Sequence, residues 1–267
     1  MDEKLGFLTM DLENDCGGRA GVRYDSITPE NITAVLNFLK THNVPLTLFV
    51  TGKIFEEKPR EINLLRAGWE NLEFALHAYS HPLLLDDYSE EIDQGVRAYR
   101  NFLGDPPLGY RAPQGKISQR DFLCLKKHGF KYDASIFPTL RPGVFNNLKM
   151  PNEPFYLDKY DLLEIPGSVF QPLKIPLGLG YLRLLGPVVT RALFKLCRLP
   201  NFLVISFHLH DVLQTCNTEK LSGFWRFFYR RNVHQGFALL DFALTTLKHQ
   251  GYRFALMKDL LSTFPTP

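Results

Sequence analysis

Four short segments of this 267-residue chain carry side chains that could act together on one substrate. The first, LTMDLEND, closes an apolar run with Asp11, Glu13 and Asp15 at alternate positions, and the two-residue period of a strand can send Asp11 and Glu13 to the same side. Taken alone, the same residues also suit a solvated loop of turn-forming acids. The second, HAYSH, places His77 and His81 four apart, a spacing that converges if the segment coils into a helical turn. Two neutral imidazoles and one carboxylate make an open divalent-metal site with room for water and substrate. The third, RAPQG, brackets a turn between Pro113, whose φ is fixed, and Gly115, whose φ is free, and would aim Arg111 at a neighbouring acid. The fourth, SFHLHD, ends another apolar run in His208 and His210, with Asp211 beside them. Either imidazole is a candidate proton donor.

The elements that must position these groups follow from the hydrophobic pattern. Apolar runs at 6–12, 45–50, 71–77 and 201–208 predict buried strands, and YRFALM at 252–257 predicts a last one. Ser26, Thr28 and Pro29 signal a helix start running to about Leu39, while Ile92, Val96, Tyr99 and Phe102 share one face of a helix over about 90–102. Strands alternating with helices imply a parallel sheet with right-handed crossovers, and reactive groups then belong at the C-terminal strand ends. The proline-rich stretch from Phe137 to Lys174 predicts loops with a small antiparallel excursion, and helix resumes near Gly180 to Leu199. With no Gly/Ser linker and no repeat, residues 1–267 read as one domain.

Composition narrows the partners. Thirty-one basic side chains against 28 acidic ones give a net charge of +3, too near balance for the dense positive field of non-specific nucleic-acid binding. The four cysteines, at 16, 124, 197 and 216, are scattered without CxxC spacing, which predicts reduced structural thiols. The segment MDEKLGFLTMDLEND has neither the basic nor the apolar region of a secretory signal, and no apolar run reaches the ~18 residues of a spanning helix, so cytoplasmic residence is expected. Residues 181–202 are apolar with interspersed arginines and 224–231 (FWRFFYRR) are aromatic and basic. Core helices with a basic edge and peripheral helices at the inner face of a membrane share that pattern.

Taken in order, the motifs resemble those of the polysaccharide deacetylases, the NodB-homology group also called carbohydrate esterase family four. LTMDLEND resembles the aspartate-bearing first motif, HAYSH the HxxxH metal motif, RAPQG the RxPxG motif, YDAS at 132–135 the Asp-Ser motif, and PLTLFVTG at 45–52 the strand and turn between the first two. GLGYLRLLGP at 178–187 followed by SFHLHDV is similar to a branch in which a Gly-rich stretch precedes a histidine-containing motif. The resemblance runs from about Gly6 to Leu260 and implies an α/β fold, a distorted (β/α) barrel of about seven parallel strands. It also implies Asp11 as base, oriented by Arg111. Glu13, His77 and His81 would be ligands of one divalent ion, with Asp15 the alternative carboxylate. His208 would be the acid, with His210 the competing alignment. Substrate contacts fall to Tyr79, Pro113, Gln114 and Asp133. An oxyanion donor is expected from a backbone amide near Tyr79 or in the 112–115 turn.

Two features depart from the usual pattern: Leu12 stands where a second adjacent aspartate is common, and Gln114 where an aromatic residue is common. The ion would be zinc, with cobalt, nickel or iron also suited to mixed N/O ligation. The expected substrate is an N-acylated amino sugar, in a glycan or a lipid-linked precursor. An allantoinase-like amide hydrolase and a carbohydrate-binding scaffold with a decayed site are the alternatives.

Overall fold

The computed structural model describes residues 4–14, 26–215 and 218–264. In chain order the first half contains β1 (Leu5–Leu12), α1 (Pro29–His42), β2 (Leu46–Val50), α2 (Gly52–Glu57), α3 (Pro59–Gly68), β3 (Leu72–Leu76), α4 (Ser89–Leu103), β4 (Gly109–Tyr110), α5 (Gln119–His128) and β5 (Tyr132–Asp133). The middle is a run of short strands, β6 (Leu140–Arg141), β7 (Phe145–Asn146), β8 (Phe155–Leu157), β9 (Leu162–Glu164), β10 (Val169–Phe170) and β11 (Ile175–Pro176). The chain then forms α6 (Leu179–Leu185), α7 (Pro187–Leu196), β12 (Phe202–His208), α8 (Leu209–Val212), α9 (Gly223–Arg230), α10 (Gly236–His249) and β13 (Arg253–Phe254).

The main sheet runs β12-β1-β2-β3-β4-β5-β9-β8, with β13 paired to the start of β1. From β12 to β9 seven consecutive strands are parallel, and β8 folds back antiparallel on β9. This curled, parallel-rich α/β sheet is the expected distorted barrel. Between β9 and β12 the 165–178 segment fills the gap: Ser168 Oγ accepts the Val204 N–H at 2.8 Å, and Gly178 bridges Ser206 in parallel. All eight residues of β1 are buried, as expected of a strand covered on both faces. The expected antiparallel excursion consists of the β6–β7 and β10–β11 hairpins and the β8–β9 pair.

Helix ends follow local chemistry. Thr28 Oγ1 accepts the Asn31 N–H ahead of Pro29, and Ile32, Val35, Leu36 and Leu39 turn one stripe of α1 into the core before Asn43 stops it in the left-handed region. Ser118 and Asp121 form a reciprocal capping box at the start of α5. The last strand is shorter than the sequence pattern predicts: β13 covers two residues, because Met257–Ser262 turns into a 3₁₀ helix whose Met257 and Leu260 plug the barrel bottom. Cys124 and Cys197 are free thiols; Cys16 and Cys216 lie outside the described residues.

Candidate active site

The candidate groups gather at the C-terminal ends of adjacent strands. Register pairs Asp11 on β1 directly with His208 on β12, while His77 follows β3 and Arg111 follows β4. The His77 N–H continues the ladder to Val50 O at 2.9 Å and the Arg111 N–H to Leu76 O at 3.0 Å, so sheet hydrogen bonds fix both backbones.

Glu13, His77 and His81 present one ligand atom each within 4.8 Å of one another, and all three are buried. Glu13 Oε2 lies 2.8 Å from His81 Nε2 and 3.8 Å from His77 Nε2. His77 Nδ1 sits 2.7 Å from the Arg111 carbonyl and donates to it, which leaves the Nε2 lone pair turned toward Glu13. Burial, assisted by His81 and opposed by Asp11 and Glu13, pulls the His77 pKa down to about 4 and keeps the ring neutral. For Glu13, burial opposes ionisation but the His81 contact outweighs it, so its carboxyl is held well below the usual range. A neutral imidazole with a free lone pair and an ionised carboxylate are the protonation states a divalent ion requires. This donor set therefore fits one. Asp15, the alternative carboxylate, lies outside the described residues.

The two histidines do not converge through a helical turn as their spacing suggests. Residues 77–81 form an irregular loop with Ala78 and His81 at positive φ, yet the rings stand 5.0 Å apart. The loop is held from both sides: Gly52 and Lys53 amides bond the Ala78 and Tyr79 carbonyls, and Glu91 on α4 accepts from the Tyr79 and Ser80 amides. That acceptance occupies the Tyr79 N–H, in the neighbourhood where one oxyanion donor was expected. The Tyr79 hydroxyl donates to Glu56, and the side chain is not among those that line the cavity.

Asp11 receives Arg111 Nη1 on Oδ1 at 2.6 Å, and the same guanidinium donates to Thr9 Oγ1 and the Ala134 carbonyl while stacking on Phe49 at 4.0 Å. Burial opposes the Asp11 charge, but Arg111 with His77 and His208 outweighs it and lowers the pKa. Behind Arg111, Asp133 accepts the Ser135 hydroxyl at 2.7 Å, and Ser135 Oγ accepts the Ala112 N–H at 2.7 Å. Asp133 is fully buried, is not among the residues that line the cavity, and through Ser135 supports the 112–115 turn. Pro113 is likewise buried inside that turn, whereas Gln114 lines the cavity and is clamped by Arg141 through its carbonyl and side chain. The Gly115 N–H bonds Ala112 O, so neither it nor the Ala112 amide remains for an oxyanion. Glu164 packs on Asp133; burial and the adjacent Asp133 charge push its pKa well up, so it carries the shared proton.

His208 ends β12 with Nε2 3.6 Å from Asp11 Oδ2 and 4.0 Å from Glu13 Oε1, and its Nδ1 lies 3.2 Å from Asp211 Oδ2. Burial opposes protonation, but the Asp211 hydrogen bond and the carboxylates of Glu13, Asp211 and Asp11 outweigh it and raise the pKa to about 9. Asp211 is in turn held by Arg183, fully buried on α6, at 3.2 Å. Gly236 presses against this turn so closely that a Cβ would stand 2.0 Å from the Asp211 carbonyl. His210, whose place just past the end of an apolar run suggests solvent exposure, is instead half-buried on α8, stacked on His208 at 4.6 Å and edge-on to Tyr229 at 5.0 Å. Burial takes its pKa down to about 4, which leaves it neutral at the pH where His208 is charged. Arg183, Thr9, Glu164 and Glu91 were missed in the sequence; for Arg183 the available signal was a lone cation inside the apolar run GLGYLRLLG.

These groups open into a cavity of about 380 Å³. Its floor is the Asp11–Glu13–His77–His81–His208 cluster; its far wall is apolar, from Tyr181 and Leu184 on α6 and Phe224, Trp225 and Phe228 on α9.

Residues 14–132 match the sequence profile of the polysaccharide deacetylase family. A peptidoglycan deacetylase of Helicobacter pylori is 32% identical over 110 residues, 39% of this chain and 36% of that protein. The chain spans about a third of the length of the curated relatives it matches. By fold, a Mycobacterium smegmatis protein assigned to the polysaccharide deacetylases superposes with TM-score 0.62 at 18% identity, covering 98% of this chain and 91% of the other. A family-four pseudoenzyme of Bacillus anthracis superposes with TM-score 0.55 at 16% identity, covering 97% and 66%. An allantoinase superposes with TM-score 0.61 at 14% identity, covering 99% and 93%. The motif resemblance to the polysaccharide deacetylase superfamily is borne out by these matches. Fold alone does not select among hydrolase, allantoinase and inactive relatives; that choice rests on the site.

Proposed function

We propose that the chain is a divalent-metal-dependent N-deacetylase acting on an N-acylated amino sugar. The observation that carries this reading is the convergence of three ligand atoms within 4.8 Å of one another, the Arg111-held carboxylate of Asp11, and His208, whose Nε2 lies 3.6 Å from Asp11 and 4.0 Å from Glu13. Glu13, His77 and His81 would hold the ion, zinc by preference, which would supply acidification of a bound water and polarisation of the acyl carbonyl. Asp11, kept ionised by Arg111, accepts the proton of the attacking water. His208, charged and oriented by Asp211, gives its Nε2 proton to the departing nitrogen, and the amine leaves as acetate is released. The nearness of Asp11, Glu13, His77, His81 and His208 supports this reading over a pseudoenzyme.

The substrate class, an amino-sugar glycan as in the peptidoglycan deacetylase relative or its lipid-linked precursor, is part of the same proposal. The apolar cavity wall suits the faces of sugar rings and, beyond them, an acyl or prenyl group. Acetate release from N-acetylglucosamine oligomers and from a lipid-linked N-acetylhexosamine tests it. Wild type restored with zinc should release acetate, and the chelated protein and Asp11→Asn should not. No release by the metal-restored wild type from either substrate overturns the proposal.

A further inference from the structure

Helix α7 breaks the usual arrangement of a surface helix. Thr190, Leu193 and Phe194 face the core, yet Val188, Ala192 and Leu196, at i, i+4 and i+8, form an apolar ridge on the opposite side. Val188 and Leu196 are 79% and 77% exposed, left uncovered by the described residues. Beside it, α9 turns Phe224 and Phe227 outward at 64% and 51% exposure. The two surfaces are continuous: Arg231 stacks on Phe227 at 5.2 Å and donates to the Leu184 carbonyl, Asn232 donates to the Arg183 carbonyl, and Gly186, which caps α7, packs on Asn232.

Charge chooses the occupant. No acidic residue occurs from 165 to 210 or from 220 to 240. Arg191 and Lys195 flank the α7 ridge, and Arg226, Arg230 and Arg231 flank the α9 aromatics, all exposed. A second copy docking by this face would set these cations against their own equivalents, because a two-fold contact pairs a patch with itself. A surface that is apolar in its centre and carries five exposed cations, with Glu219 as the acid beside Arg226 among the described residues, instead matches an anionic bilayer, where apolar side chains enter the headgroup boundary and cations meet lipid phosphates. We propose that the outward faces of α7 and α9 form one docking surface for an anionic membrane, which sets the cavity mouth between α6 and α9 at the lipid boundary. The docking stands apart from the hydrolytic reading; only its use, presenting a lipid-borne sugar to the cluster, rests on that reading.

The test is flotation of the whole chain with phosphatidylcholine vesicles and with mixed phosphatidylcholine–phosphatidylglycerol vesicles, at low and high salt. Wild type should float with the anionic vesicles only, and less at high salt. Arg191→Gln with Lys195→Gln should lower partitioning roughly thirtyfold, at about one fivefold step per cation. Val188→Glu with Leu196→Glu should abolish it while leaving the thermal unfolding midpoint and acetate release from a soluble oligomer unchanged, because neither side chain touches core or cavity. Loss of vesicle binding with retained acetate release separates this face from the site. Wild type that stays unbound with anionic vesicles overturns the proposal. So does the Glu double variant binding as well as wild type, and so does a wild-type dimer in light scattering that the same variant dissolves, which would give the face to a second copy.

Discussion

The two walls of the cavity are built on different terms. The wall from β1, β3 and β4 is charged, and each working side chain is held by at least one partner whose own position is fixed: Asp11 by Arg111, Arg111 by Thr9 and Ala134, His77 by the Arg111 carbonyl. The wall from α6 and α9 is aromatic, and its contacts are ring against ring, as between Trp225, Phe228 and Tyr229. Chemistry needs charge placed to within fractions of an ångström, which hydrogen-bonded networks supply. Recognition of sugar faces and lipid needs area, which aromatic rings supply with looser geometry. The family profile ends at residue 132, within the first wall's half of the chain.

Breaking the charged wall should have the largest effect. His77→Ala or His81→Ala should abolish tight metal binding and activity together, whereas Asp11→Asn should keep stoichiometric metal and lose turnover, because a base differs from a ligand. Elemental analysis of desalted variants alongside acetate release checks this; metal retained by a His77→Ala/His81→Ala protein would place the site elsewhere.

Next comes the proton donor. Removing a general acid costs about 10²–10⁴-fold in kcat, so His208→Ala should fall by that order with metal retained, while His210→Ala should fall less than about tenfold. The pH dependence distinguishes them. The His208 pKa is raised to about 9, so its acid form is present below that pH and the rate should fall as pH rises through about 9. His210 is already neutral above about 4 and contributes no limb there. A His208→Ala enzyme that keeps both its rate and the alkaline limb would move the role to His210.

How much of this was legible depended on whether a residue's partner lay nearby in sequence. The strands at 6–12, 45–50, 71–77 and 201–208 were visible because they are continuous apolar runs, and each motif residue that ends one was found at the site. The two-residue strands β4 and β5 carry no periodic signal, although they complete the sheet. Contacts with partners distant in sequence were out of reach for the same reason. Nothing in HAYSH shows that Glu91, eleven residues past Ser80, takes the Tyr79 and Ser80 amides, and nothing in YDAS shows that Asp133 faces Glu164 instead of the cavity. For Arg183 the lone cation in an apolar run was visible, but its partner was not, because Asp211 is 28 residues away.

Arg183 is where the two walls join, since it holds Asp211 with its guanidinium and touches Phe228 with its face at 5.9 Å. Arg183→Met keeps the volume and strands the Asp211 charge. Breaking a buried pair in this way costs about 3–5 kcal/mol, to be read from urea unfolding, and the His208 limb should move as its orienting acid is freed. Stability unchanged in Arg183→Met would mean that water replaces the guanidinium and that the join is weak.

A smaller effect is expected from the buried acid pair under the charged wall. Glu164 has its pKa raised by burial and by Asp133, so the folded state binds its proton more tightly than the unfolded chain. Its contribution is therefore fully present below the ordinary glutamate range and is lost as pH rises through the raised folded value. Glu164→Gln should remove that part of the pH dependence and flatten the unfolding midpoint on the alkaline side. A wild-type midpoint that does not decline from acid to alkaline pH in this range, or a Gln variant that declines identically, would show that the pair ionises without cost.

The smallest effects belong to the aromatic wall, and they decide whether the division between the walls is real. Tyr181 and Phe224 line the cavity without touching any of Asp11, His77, His81 or Arg111, and both are more than a third exposed. Stacking of a rim aromatic on a sugar face is worth about 1 kcal/mol, so Tyr181→Ala and Phe224→Ala should each raise KM about fivefold and leave kcat within about twofold. The two changes should also add, because the residues sit on different helices with no shared partner among the contacts described. The pH limb set by His208 should stay where it is in both variants. A loss falling on kcat would mean that α9 helps bring the reacting carbonyl to Asp11 and the metal ligands, and that the aromatic wall positions the scissile bond as well as gripping the sugar. That outcome would merge the two walls into one machine and would predict strong coupling between Phe224→Ala and His208→Ala, whose effects should otherwise multiply independently.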